Sequence, residues 1–385
     1  MDFEPTAEQA LVRRTAREFA EAEVAPRAAH YDEAEEFPVE VMAKLGGLGF
    51  LGALVPPEYG GAGLDYVSYA SVVEELSRAD GSVGITMWAH NSLCVNHLYL
   101  QGSEAQRQRY LPALCRGDVL GAWALTEPGS GSDAAALRTT ATEDGDGFVL
   151  KGSKAFITNG SVAGTLVVMA RTEPRATGPA NQGISAFVLE RGVAGLSVSR
   201  RYRKLGLHAS DTAELVLDGV RVPASSLVGA RGRGFQDAKR VLEGGRIAMA
   251  AMAVGLGQGA LDQAVRYARE RQAFGRPIGQ FQGIQAILAD LHTEVEAARL
   301  LTYRAAYGKD QGRDVMTEAS MAKLFASEVG MRCATRALQI HGGYGYIREF
   351  PIERIFRDVK LCEIGEGTSE VQRLVIARNL LSAAP

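Results

Sequence analysis

Residues 235–270 keep a helical hydrophobic period, broken only by Gly244-Gly245 and the isolated Gly255, Gly257 and Gly259. At 1.5 Å per residue they predict a single helix of roughly 50 Å. A helix that long cannot bury its apolar stripe alone, and the period returns at about 284–307, 315–340 and 369–381. Long antiparallel neighbours of this kind imply a four-helix bundle closing the chain. The 385 residues exceed the size at which one hydrophobic core stops growing, so two or three domains are expected, and 46% hydrophobic residues can supply their cores.

The first third reads as helical too. Thr6-x-x-Gln9 is a capping-box signal for a pattern containing Leu11, Phe19 and Val24, which Pro26 closes. A turn over 56–61 precedes an amphipathic stretch over 65–76, with Val67, Ala70, Val73 and Leu76 at helical spacing, and Ser103-x-x-Gln106 caps a further helix. Near Leu120 the pattern changes. Between Ala122 and Val222 the segments are short, rich in Val, Ile, Thr and Phe, and separated by turns such as Asp144-Gly145-Asp146-Gly147; strands are expected at 165–171, 184–189 and 213–217. Few of these alternate with helices, so an antiparallel barrel or sandwich is favoured over a doubly wound sheet. The expected division of this α+β chain is an N-terminal helical domain over 1–119, a middle β-barrel domain over 120–230 and a C-terminal helical bundle over 231–385. Residues 172–182 read as a loop, 32–36 as a solvated acidic face and 199–204 as a solvated basic loop.

A net charge of -3 with scattered Lys and Arg gives no electrostatic case for nucleic acid. No apolar run approaches the ~20 residues needed to span a bilayer. Met1-Asp2-Phe3-Glu4-Pro5 resembles neither a secretory signal nor an organellar presequence, so a cytoplasmic location is expected. Cys94, Cys115, Cys333 and Cys362 lie far apart without C-x-x-C spacing, which suits reduced thiols, and the six histidines form no ligand cluster, so no metal site is expected.

Five stretches can carry chemistry. In Leu361-Cys362-Glu363-Ile364-Gly365-Glu366-Gly367-Thr368-Ser369-Glu370 a carboxylate sits between two glycines, where little bulk blocks access; Glu366 is either a base that meets a ligand or a residue that solvates a helix-to-helix turn. Trp123-Ala124-Leu125-Thr126-Glu127-Pro128-Gly129-Ser130-Gly131-Ser132-Asp133 leads from a strand into a Gly/Ser loop that exposes N–H groups and hydroxyls to a phosphate or heterocycle edge, or is a simple turn. Lys154-Ala155-Phe156-Ile157-Thr158-Asn159-Gly160 is a strand ending in a turn. Phe156 either fills the barrel core or shares a face with Thr158, where the two could pack on a flat cofactor. Arg271-Gln272-Ala273-Phe274-Gly275 ends the long helix, its Arg serving the helix dipole or a phosphate. Gln339-Ile340-His341-Gly342-Gly343-Tyr344-Gly345-Tyr346 is a helix C-cap that also permits close backbone approach to a ligand.

Together these stretches resemble the acyl-CoA dehydrogenase family of flavoenzymes over nearly the whole chain, in the order helix, β, helix and in the sequence of all five motifs. The resemblance implies FAD as cofactor. Leu125, Thr126, Phe156 and Thr158 match positions around the flavin ring, with Gly131 in the adjoining loop, and Ser132 matches one that touches both cofactor and acyl-CoA. Arg271, Phe274, Gln282, Gln339, Gly342 and Gly343 match residues that hold the pyrophosphate and adenine of FAD in a neighbouring subunit, which implies a homotetramer built as a dimer of dimers. Thr368 and Glu370 match cofactor positions as well, although the family often has Gln where Glu370 stands. Glu243 and Arg246 resemble a substrate-binding pair, with Asp more usual at the first, and Gly367 belongs to the same substrate set. His208 replaces a frequent Arg. The implied electron acceptor is an electron transfer flavoprotein, and the implied setting is catabolism of fatty acids or branched-chain amino acids.

The α-proton of a thioester is weakly acidic, so its removal needs a positioned base, a polarised carbonyl and an acceptor for the β-hydride. By resemblance Glu366 is the base. Relatives place that carboxylate either on this loop or at the long-helix position that aligns with Gly245, which has no side chain to offer. The competing expectations are a flavin monooxygenase or oxidase on the same fold, whose members usually lack the carboxylate or carry a further C-terminal domain, and a non-catalytic scaffold that keeps the fold. Trp88 either shortens the acyl cavity, favouring a short or branched chain, or is a core residue. Gly84 stands near where glutaryl-CoA dehydrogenases place a carboxylate-binding Arg, which disfavours a dicarboxylyl substrate.

Overall fold

The computed structural model describes residues 4–173 and 181–382, so the loop expected over 172–182 lies mostly outside the described residues. The chain opens with helices α1 (Ala7–Phe19), α2 (Ala28–Ala34), α3 (Val39–Gly47), α4 (Tyr66–Ala79), α5 (Gly81–Trp88), α6 (Asn96–Gln101) and α7 (Glu104–Arg116). Both capping boxes form: Thr6 Oγ1 accepts from the Gln9 N–H at 3.2 Å while the Gln9 side chain accepts from the Thr6 N–H at 3.0 Å, and Ser103 and Gln106 pair in the same way. The stretch expected over 65–76 is α4, capped by Asp65, whose Oδ1 accepts from the Ser68 N–H at 2.7 Å. Helix α5 and the π-helical segment Ala89–Val95 after it are buried on every side. A helix without a solvent face carries no polar period, and the sequence pattern passes over it.

The middle of the chain holds β1 (Gly121–Ala124), β2 (Thr140–Asp144), β3 (Gly147–Thr158), β4 (Thr165–Arg171), β5 (Ile184–Glu190), β6 (Leu196–Arg201), β7 (Thr212–Pro223) and β8 (Leu227–Val228). They pair in the order β6-β7-β3-β2-β4-β5-β8, with β1 parallel to β4. This is an open, mixed sheet and not the closed antiparallel barrel expected. Its outer strands β6 and β8 do not meet; β6 is exposed over nearly its whole length, and Arg200 and Arg201 charge that edge. The segment read as a basic loop from residue 199 therefore begins inside an edge strand.

The remainder is α8 (Gly234–Glu270), a hairpin of β9 (Gln272–Ala273) and β10 (Arg276–Pro277), then α9 (Gln282–Asp310), α10 (Met316–His341), α11 (Ile352–Val359) and α12 (Ser369–Ser382). Helix α8 runs unbroken through its glycines because they admit a neighbouring backbone: a Cβ at Gly255 would lie 2.3 Å from the Glu74 carbonyl oxygen of α4. It thereby packs on α4 as well as on α9 and α10, and α12 lies against α10. The two helical parts of the chain consequently share one continuous core, while a second core fills the sheet. All four cysteines are free and buried; among the described residues no group of three metal-ligating side chains exists, and no helix is long and apolar enough to cross a membrane.

Candidate active site

The loop between α11 and α12 turns sharply. Glu366 and Gly367 are consecutive left-handed residues, at φ +56° and +87°. A non-glycine residue persists there only where its surroundings over-determine it. Here the Gln372 side-chain amide donates to the carbonyls of both Glu366 and Gly367 at 2.9 Å, and Lys323 Nζ donates to the Gly367 carbonyl at 2.7 Å. Thr368 Oγ1 accepts from the Val371 N–H at 3.3 Å and starts α12, where Glu370 stands exposed in the first turn.

That turn lays the Glu366 carboxylate on α8 where it has no side chain. A Cβ added at Gly245 would lie 2.5 Å from Glu366 Oε2 and 3.2 Å from Leu93 Cδ2. The Oε2 atom is buried and has no hydrogen-bond partner. Burial pushes the carboxyl up to about 7, against the opposing pull of Arg246 and Lys323. Arg246 Nη1 donates to Ser320 Oγ at 3.2 Å and contacts Met316 Sδ, which leaves its Nε buried and unpartnered. Glu243 is ion-paired with Lys309, so the two residues read as a substrate-binding pair face different groups. Trp88 is a core residue, its indole N–H 3.3 Å from Met252 Sδ of α8. At Gly84 a Cβ would fall 2.1 Å from Ser77 Oγ, so a side chain there would require Ser77 to shift.

On the sheet, Glu127 organises the Gly/Ser loop. Its buried carboxylate accepts from the N–H groups of Arg138 at 2.6 Å and Thr139 at 2.9 Å and from Lys154 Nζ at 2.8 Å. Burial pushes this carboxyl up, but the Lys154 charge and the donors outweigh it and hold it below the usual carboxylate range. Leu125 is buried, Thr126 is half-buried, and Gly131 and Ser132 are exposed. Phe156 does not fill the core. A register shift between Lys154 and Ile157 turns it outward at φ +57°, where it is 63% exposed and stacks on Tyr202 with centroids 4.7 Å apart. Thr158, the last residue of β3, is half-buried.

At the far end of α8 the motif ends the helix as expected, with Arg271 as its C-cap, and continues into a hairpin. Phe274 and Gly275, at φ +52° and +78°, form its two-residue tip, and Phe274 is 95% exposed. Arg271 lies over the Tyr344 ring at 5.4 Å and lines a cleft of about 530 Å³ with Tyr267, Ile340, Gly342 and Gly343. Gln282 and Gln339 are exposed nearby, at the start of α9 and in the last turn of α10, without lining that cleft. His208 pairs with Asp32 Oδ1 at 3.1 Å.

The arrangement brings Glu366, Gly367, Gly245 and Arg246 together, and separately gathers Arg271, Gly342 and Gly343. Sequence reasoning missed Lys323, Gln372, Glu127 and Tyr202. Lys323 alone left a signal, a charge on the apolar stripe that also holds Ala319, Ala322 and Ala326.

Profiles of the acyl-CoA dehydrogenase family match the chain in order: the N-terminal domain over residues 6–118, the middle domain over 122–220 and the C-terminal domain over 232–381. The chain is 48% identical over 377 residues to the short-chain specific acyl-CoA dehydrogenase of Clostridium acetobutylicum, covering 98% of this chain and 99% of that one. Its structure resembles that of butyryl-CoA dehydrogenase from Megasphaera elsdenii, with TM-score 0.96 and 42% identity over 99% of this chain and 100% of that one. It also resembles a chain in the structure of the electron transferring flavoprotein of Acidaminococcus fermentans, with TM-score 0.97 and 46% identity over 100% of both chains.

Proposed function

Because the chain belongs to the acyl-CoA dehydrogenase family, we propose that it converts an acyl-CoA thioester to the trans-2-enoyl-CoA, with FAD as cofactor and Glu366 as the base. One observation carries this reading: a carboxylate whose buried Oε2 has no hydrogen-bond partner, laid over a glycine and raised to about 7. Such a group is about half ionised at neutral pH and can take a proton from a weak carbon acid.

The residues present fit the cofactor. A Cβ at Gly342 or Gly343 would meet nothing within 4 Å, so both leave backbone open to a ligand, and Arg271 supplies a cation beside them. Leu125, Thr126, Gly131, Ser132, Phe156 and Thr158 would face the flavin ring. Phe274, Gln282, Gln339, Thr368 and Glu370 complete the cofactor set. Oxidised FAD supplies the acceptor for the β-hydride. Arg246 and Gly367 line the acyl-CoA side, with Glu243 on its rim, and the Glu366 N–H would donate to the thioester carbonyl. Leu93, whose Cδ2 would lie 3.2 Å from a Cβ at Gly245, occupies volume beside the base, and a short or branched acyl chain is the proposed substrate.

A homotetramer is the proposed assembly, and the length of α8 supports a neighbouring subunit. Gly245 and Arg271 stand ~39 Å apart along it, toward opposite ends of the bundle's central helix, so the Arg271 cleft would serve a neighbour's cofactor. An electron transfer flavoprotein is the proposed acceptor and the cytoplasm the proposed location. Glu366→Gln keeps size and hydrogen bonding but removes basicity. It should slow anaerobic flavin reduction by butyryl-CoA at least ~100-fold while FAD stays bound. Near-normal reduction in a single turnover would place the base elsewhere, with Glu243 next to test.

A further inference from the structure

Resting on the assignment of Glu366 as base, we propose that Lys323 and Gln372 are its positioning residues. They form a two-pronged clamp on the carbonyls of the Glu366-Gly367 turn, one prong charged and one neutral. Lys323 comes from α10 and Gln372 from α12, and both side chains are fully buried. Between them they hold two successive carbonyls, at 2.7 Å from Lys323 and 2.9 Å from Gln372. Those are the peptide units whose left-handed conformation aims the carboxylate at Gly245. The clamp also explains the glycine that follows the base, since a Cβ at Gly367 would lie 2.8 Å from Gln372 Nε2.

A buried ammonium is costly, and an apolar residue would serve the packing of α10 better. Burial pulls Lys323 down to about 8, so it remains largely charged at neutral pH. The charges facing Glu366 are Arg246 from α8 and Lys323 from α10. Those facing Lys323 are Glu363 from the preceding turn, Glu366 and Arg246, beside the Cys362 thiol, which burial pushes up to about 12 and keeps neutral. Arg246 is drawn toward Ser320 and Met316, whereas Lys323 touches the turn itself. The two prongs thus act differently. Lys323 supplies both geometry and charge, and Gln372 supplies geometry alone.

The test uses the FAD-loaded full chain carrying Lys323→Met, Lys323→Arg or Gln372→Met. Two readouts are taken against pH: single-turnover flavin reduction by butyryl-CoA, and the infrared band of the protonated Glu366 carboxyl, identified by its loss in Glu366→Gln. Lys323→Met should move the Glu366 titration up by about one pH unit and lower the limiting rate ~tenfold or more. Gln372→Met should lower the limiting rate by a similar ~tenfold factor with the titration in place, and Lys323→Arg should restore most of the titration. An unmoved titration together with a wild-type limiting rate in Lys323→Met overturns the clamp. If that variant does not fold, a wild-type limiting rate in Gln372→Met does so. Failure of the base assignment would look different: Glu366→Gln would keep reducing flavin, while the infrared titration would still report on the clamp.

Discussion

Gly245→Ala separates what this site needs for stability from what it needs for chemistry. The new methyl would stand 2.5 Å from Glu366 Oε2, whereas ordinary contact begins near 3.4 Å, so the carboxylate must retreat by about 0.9 Å. It would also press on Leu93 Cδ2 at 3.2 Å, a contact that a few tenths of an ångström relieve. The displaced atom is the far end of a flexible side chain, so the strain in folding is small. Replacing a helix-interior glycine by alanine contributes up to ~1 kcal/mol in the other direction. Stability should therefore change by less than ~1 kcal/mol. Proton abstraction is far less tolerant, because misplacing a reacting group by ~1 Å can cost ~100-fold. The expected result is FAD-replete protein with an unchanged urea midpoint and a ~30- to 100-fold slower single-turnover reduction by butyryl-CoA. Wild-type reduction in this variant would refute the placement of Glu366 over Gly245 as the reactive geometry.

The Glu366 carboxyl binds its proton more tightly when folded, so its contribution to stability is present below about 4.5 and is lost as pH rises to about 7. Relative to wild type, Glu366→Gln should therefore gain stability over that interval in denaturant titrations and gain nothing further above it. Reduction by the wild type should rise with pH through about 7, since the base must be ionised. Arg271→Ala should weaken FAD binding by ~10- to 100-fold, as expected for a charge-assisted contact of ~1.5–3 kcal/mol, and apoenzyme titration would register it. Glu127→Gln leaves Lys154 buried without its carboxylate and should cost ~3–5 kcal/mol in urea unfolding; a loss under ~1 kcal/mol would mean that the Gly/Ser loop does not depend on this pair.

What the sequence determined by itself was whatever repeats along the chain. The period over 235–270 became α8 to within one residue, residues 165–171 became β4 as expected, and both capping boxes formed, because each rests on contacts a few residues apart. Glu366 stood out for a similarly local reason, a carboxylate flanked by glycines. The tertiary structure alone decided whatever depends on distant partners. Strand alternation states which face of β6 or β8 is apolar but not whether the two edges meet, so barrel and open sheet were indistinguishable until the pairing was seen. A register shift that turns Phe156 outward depends on how β7 is aligned. Burial on all sides erased the period of α5. The vacancy at Gly245 became meaningful only when a loop about 120 residues later laid its carboxylate there, and Lys323 and Gln372 gained their places through the packing of α10 and α12 around that loop.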